Sequence, residues 1–154
     1  MNNSGSIAVG AGGIGIEARL PFAGTNVTGP AITNSGTIVA RAGGTGVMFS
    51  DNGSLINSGS IQGIGDGTGT NGYSIFTCAC TTATITNLGV LDGKIQARGT
   101  VTTFVNSGLI TITDSHAVQP IGPFNFNVSD FGGGGASTFT QTAAGTLSLR
   151  VMPG

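Results

Sequence analysis

The sequence predicts an all-β fold, a right-handed parallel β-helix of about five to six irregular rungs with a C-terminal β extension. Three observations predict it. A pentapeptide recurs along the chain, 29 glycines punctuate short apolar runs, and no segment carries the i, i+3, i+4 apolar spacing of a helix.

The pentapeptide sets the rungs. Asn3-Ser4-Gly5-Ser6-Ile7 returns as Asn34-Ser35-Gly36-Thr37-Ile38 and Asn57-Ser58-Gly59-Ser60-Ile61. It degrades to Asn87-Leu88-Gly89-Val90-Leu91 and recovers as Asn106-Ser107-Gly108-Leu109-Ile110. The steps between the asparagines are 31, 23, 30 and 19 residues, the range in which a repeat signals a solenoid. Rungs must match along their faces, whereas loops between them vary in length at little entropic cost. Uneven steps are therefore compatible with regular stacking.

A second anchor follows the first. Gly12-Gly13-Ile14-Gly15-Ile16 and Gly43-Gly44-Thr45-Gly46-Val47 lie at the same offset after Gly5 and Gly36. Gly72-Tyr73-Ser74-Ile75-Phe76 is a third copy displaced by a short insertion. One unit thus reads as turn, strand, Gly turn, strand and variable loop. Asn and Gly tolerate left-handed backbone angles and suit the bends. The Ile, Val or Leu that follows points inward while alternate Ser, Thr and Ala point out. Asn3, Asn34, Asn57, Asn87 and Asn106 are expected to stack as an internal ladder of side-chain amides; the plainer reading is that each only adopts the turn conformation. Gly5, Gly36, Gly59, Gly89 and Gly108 complete the structural turn set.

Residues 1–113 are assigned to the rungs and 114–154 to closing rungs or a cap of the same domain. In the second part, Phe124-Asn125-Phe126-Asn127-Val128 and Thr146-Leu147-Ser148-Leu149-Arg150-Val151 alternate as strands. Gly132 to Gly135 form a break, and Pro120 and Pro123 mark a bend.

Composition narrows function. Only 7% of residues are charged and the net charge is −1. Arg19, Arg41, Lys94, Arg98 and Arg150 are scattered, so no basic patch is expected to bind nucleic acid or an anionic membrane. The hydrophobic fraction of 38% argues against a disordered tether. No apolar run approaches the ~20 residues of a membrane-spanning helix, so direct membrane insertion by this segment is not expected. The polar start Met1-Asn2-Asn3-Ser4-Gly5 has no signal-peptide core; if the protein is exported, its targeting signal is expected outside this chain.

Motifs that would carry chemistry are weak. Gly10, Gly12 and Gly15 spell a GxGxxG after an apolar strand. A helix should follow, yet Pro21 and Gly24 interrupt, and no acid lies between Glu17 and Asp51 to hold a ribose. Nucleotide binding is not expected. Gly12 to Glu17 echoes a Ca²⁺-binding nonapeptide, but once, and without tandem Asp. Glu17, Asp51, Asp66, Asp92, Asp114 and Asp130 are spread one per rung or loop, with no spacing that demands the paired carboxylates of glycoside hydrolysis. Asp114 and His116 could form a dyad with Ser115 or Ser129; a surface loop explains them as well. Cys78 and Cys80 lie roughly 6.6 Å apart on an extended strand. Buried thiols, a strained bridge and a two-ligand metal contact all stay open. The expectation is a chain with no catalytic, cofactor or metal residues.

The Asn-Ser-Gly-Ser/Thr-Ile anchors and the tail Phe139-Thr140-Gln141-Thr142-Ala143-Ala144-Gly145-Thr146-Leu147-Ser148-Leu149 together resemble the passenger domains of bacterial autotransporters. The resemblance covers nearly the whole chain through short motifs, and the family's signal peptide and translocating barrel are not in this sequence. It implies the C-terminal part of a passenger, displayed at the bacterial cell surface by type V secretion, in an adhesive or structural role. Partners would be host or cell-surface ligands, or further copies of the chain through the β-helix ends. Two other functions stay open: a head-to-tail extracellular fibre and a carbohydrate-active β-helix enzyme.

Overall fold

A computed structural model describes residues 1–20, 29–66, 72–78, 81–97, 101–113 and 138–148. Among them the fold is a parallel β-helix, with sixteen strands in three all-parallel sheets and no helix. Each complete rung contributes one strand to each sheet. The first rung consists of β1 (Asn2–Asn3), β2 (Ser6–Val9) and β3 (Ile14–Ala18). The second has β4 (Ala31–Asn34), β5 (Thr37–Ala40) and β6 (Thr45–Phe49), and the third β7 (Gly53–Asn57), β8 (Ser60–Gly63) and β9 (Tyr73–Thr77). The fourth has β10 (Thr82–Asn87), β11 (Val90–Asp92) and β12 (Lys94–Ala97). β13 (Val101–Asn106) and β14 (Leu109–Thr111) belong to the fifth, and β15 (Thr138–Gln141) and β16 (Thr146–Leu147) to the sixth.

The first sheet runs β1-β4-β7-β10-β13-β15, the second β2-β5-β8-β11-β14-β16 and the third β3-β6-β9-β12. A rung is therefore three-sided where the sequence reading had two strands and a loop. The strand ending in Asn was missed as a separate element because it is short and partly polar.

Stacked register builds the core. Ile32, Leu55, Ile85, Phe104 and Phe139 form one inward column of the first sheet. The second sheet stacks Ile7, Ile38, Ile61, Leu91, Ile110 and Leu147. The third stacks Ile16, Val47, Ile75 and Ile95. Most of these side chains are fully buried, each contributing roughly 1.5–3 kcal/mol by leaving water. Phe104 and Phe139 meet with ring centroids 5.6 Å apart.

Residues 138–148 continue this stack, with Phe139 paired to Phe104 and Leu147 to Ile110. The expected strand Phe124–Val128, the Gly132–Gly135 break, the bend at Pro120 and Pro123, and the end of the strand read over 146–151 lie outside the described residues.

Candidate functional site

The recurring pentapeptide occupies the corner between the first and second sheets. Each asparagine is the last residue of its first-sheet strand, and the Ser-Gly or Leu-Gly pair after it makes the bend. The side chains point inward and join. Asn3 Nδ2 donates to Asn34 Oδ1 at 2.7 Å, and Asn34 Nδ2 to Asn57 Oδ1 at 2.8 Å. Asn57 donates to Asn87 and Asn87 to Asn106, both at 2.8 Å. Asn106 passes the line to Gln141 Oε1 at 2.9 Å. Gln141 is a sixth member that the sequence reading left out; the one available signal was its place before a bend ahead of Thr146-Leu147.

The same amides also reach main-chain carbonyls. Asn57 Nδ2 lies 3.4 Å from Gly59 O and 3.1 Å from Val90 O, and Asn87 Nδ2 lies 3.3 Å from Gly89 O and 3.2 Å from Leu109 O. Asn34, Asn57, Asn87 and Asn106 are 0% exposed. Burial is tolerable because the donors and acceptors are used, and an orphaned one would cost about 1–3 kcal/mol. Chains of such bonds polarise one another in a low dielectric.

The main chain repeats the pattern. The Asn34 carbonyl accepts from Ser58 N at 2.8 Å and Gly59 N at 3.1 Å, and the Asn57 carbonyl from Leu88 N at 2.7 Å and Gly89 N at 2.9 Å. This explains the glycines, and it corrects the reason expected for them. None of Gly5, Gly36, Gly59, Gly89 and Gly108 has a positive φ. A Cβ on Gly36 would lie 2.0 Å from Gly5 O, and one on Gly59 2.0 Å from Gly36 O. On Gly89 and Gly108 the corresponding distance is 2.1 Å. Glycine is required by the backbone of the rung below, not by a left-handed angle.

Left-handed angles occur at the next corner. Gly12 has φ +67° and Gly43 φ +81°, and Gly12 N donates to Ala42 O at 3.1 Å. Gly15 and Gly46 face the core, where a Cβ would come within 2.6 Å of Ile38 Cγ2 and 2.4 Å of Ile61 Cγ2 respectively. The GxGxxG-like spacing is thus the geometry of two stacked bends.

Outside the ladder, several polar side chains bond to a neighbouring rung. Asp92 accepts from Gln62 Nε2 at 2.9 Å and Thr113 N at 2.8 Å, and also from the Thr113 hydroxyl. The exposed Glu17 accepts from Ser50 Oγ at 2.6 Å, and Asp51 from Leu20 N at 2.9 Å. Lys94 sits 5.9 Å from the centroid of the Tyr73 ring. Burial holds its ammonium pKa below the ordinary value, against an opposing pull from Asp66. The Thr77 hydroxyl is buried without a hydrogen-bond partner.

Among the described residues, no three His, Cys, Asp or Glu side chains gather where they could hold a metal ion. Cys78 follows β9 and is half-buried. Cys80, Asp114, Ser115, His116, Ser129 and Asp130 lie outside the described residues. No family model, curated protein or solved structure matches the chain.

Proposed function

We propose that the chain is a section of an extracellular, non-catalytic β-helical stalk at a bacterial cell surface, with a structural or adhesive role. The buried amide ladder carries this reading. The most repetitive information in the sequence is turned inward, where it holds rungs in register, so what is repeated is a rod and not a ligand pocket. The scarcity of charge supports the same view, since steering of small charged substrates relies on a concentrated field. Light scattering through a dilution series, with electron microscopy of the same samples, tests the stalk. It should give a rigid, concentration-independent monomer. Cleavage of any member of a polysaccharide panel, abolished by Asp92→Asn, would replace the stalk with the enzyme reading.

A fibre subunit is the second reading, favoured by the direction of the ladder. Every ladder amide donates toward the later rung, a single polarity that head-to-tail stacking would continue. Filaments that lengthen with concentration would establish the fibre in place of the monomeric stalk.

A further inference from the structure

Parallel sheets are ordinarily covered on both faces, whereas among the described residues the outer face of the first sheet is open. Two columns of side chains stand on it. From β4 to β15, Thr33, Ile56, Thr86, Val105 and Thr140 form one, which Asn2 of β1 extends beyond Thr33. Ala31, Ser54, Thr84, Thr103 and Thr138 form the other. All ten are exposed or half-buried, and none is charged or aromatic.

From Thr33 to Thr140 the first column is β-branched, so each of those positions presents a γ-methyl on a side chain with restricted χ1. Thr33, Thr86 and Thr140 add a hydroxyl, and Val105 keeps the shape of threonine without it. The second column adds hydroxyls at Ser54, Thr84, Thr103 and Thr138. The spacing is about 4.8 Å between rungs and about 6.6 Å between the columns. The face is therefore a stiff two-dimensional lattice of methyls and hydroxyls.

Several partner classes fit it poorly. Small molecules favour concave sites, protein interfaces are enriched in aromatics and arginine, and phosphate-rich polymers need cations. A periodic, uncharged array instead complements a periodic solid. Its side chains lose little freedom on docking, and its hydroxyl rows can hold waters in a fixed pattern. Crystalline polysaccharide would call for exposed aromatic rings, and the two columns have none.

We propose that this outer face binds ice, through waters ordered between the threonine rows. The test is slow freezing of the whole chain onto a cold surface, together with the gap between freezing and melting temperatures. The chain should enter the ice and open a gap. Thr86→Lys, which places a charge in the middle of the lattice and leaves the core alone, should lose both with an unchanged unfolding midpoint. Thr86→Val removes only the hydroxyl and should reduce ice uptake, which keeps the test decisive if the lysine variant misfolds. Thr37→Lys, on the exposed outer side of the second sheet, should behave as wild type. Rejection of the wild-type chain from ice overturns the proposal, as does full uptake of a folded Thr86→Lys. Equal loss in Thr37→Lys overturns it too, as does capture by cellulose or chitin with rejection from ice.

Discussion

Two corners of the coil solve the same problem differently. Between the first and second sheets, two residues make the bend in each of the first five rungs, and the same atoms bond each time. Between the third and first sheets, the link varies, running from Ala18 to Ala31, from Phe49 to Gly53 and from Thr77 to Thr82. Each described link there uses its own polar contact: Asp51 accepts from Leu20 N, Asn52 Oδ1 from Thr82 N at 2.7 Å, and Cys78 O from the Thr81 hydroxyl at 2.8 Å. Where polar atoms are buried against the neighbouring rung, spacing cannot drift. Where a local side chain suffices, length and sequence are free to change.

Substitution at the ladder should break the contrast most severely. Asn57→Leu leaves the buried Asn34 amide and the Asn87 Oδ1 without their ladder partner. Asn34 Nδ2 keeps its longer contacts to Gly36 O and Ser60 O, so the Asn87 Oδ1 left without a donor and the lost ladder bonds should together cost about 3 kcal/mol, read as a lower urea midpoint. Asn52→Leu, at the variable corner, removes one exposed bond and should cost well under half as much. Equal losses at the two positions would mean that the ladder is no stiffer than an ordinary loop.

The glycines sharpen the comparison within a single motif. Gly59→Ala drives a methyl into the backbone of Ser35 and Gly36, and rigid overpacking of this kind costs about 3 kcal/mol or more. Gly5→Ala meets nothing within 4 Å and has no positive φ; a change within about 0.5 kcal/mol is expected, as at other surface sites. Thermal unfolding of the two variants should separate them clearly. If they shift alike, the close approach of rungs is not what selects glycine.

Thr77→Val should have the smallest effect, with the opposite sign. The hydroxyl lies buried beside the third-to-first link without a partner, and an isosteric apolar replacement relieves roughly 1 kcal/mol of desolvation cost. A raised denaturant midpoint is the expected result, and a lowered one would show that the hydroxyl is satisfied in solution.

Much of this architecture is legible in the sequence. The pentapeptide and its uneven steps are enough to infer stacked rungs, because only a coil lets identical turns recur while intervening loops change length. The glycine echoes at Gly12–Gly15 and Gly43–Gly46 are legible as matched bends for the same reason. Gln141 was hidden because its bend is longer, with Thr142 to Gly145 between strands where two residues serve elsewhere. Asp92 was hidden because its partners Gln62 and Thr113 come from neighbouring rungs 30 and 21 residues away.

By itself, then, the sequence determined that the chain coils and where its most regular corner falls, since turn chemistry and hydrophobic alternation are local. Only the tertiary structure decided that a rung has three sides, that the asparagines close strands rather than occupy turns, and that glycine is demanded by the rung beneath. Those outcomes depend on atoms some 20 to 30 residues apart in sequence, which meet only when the stack is complete.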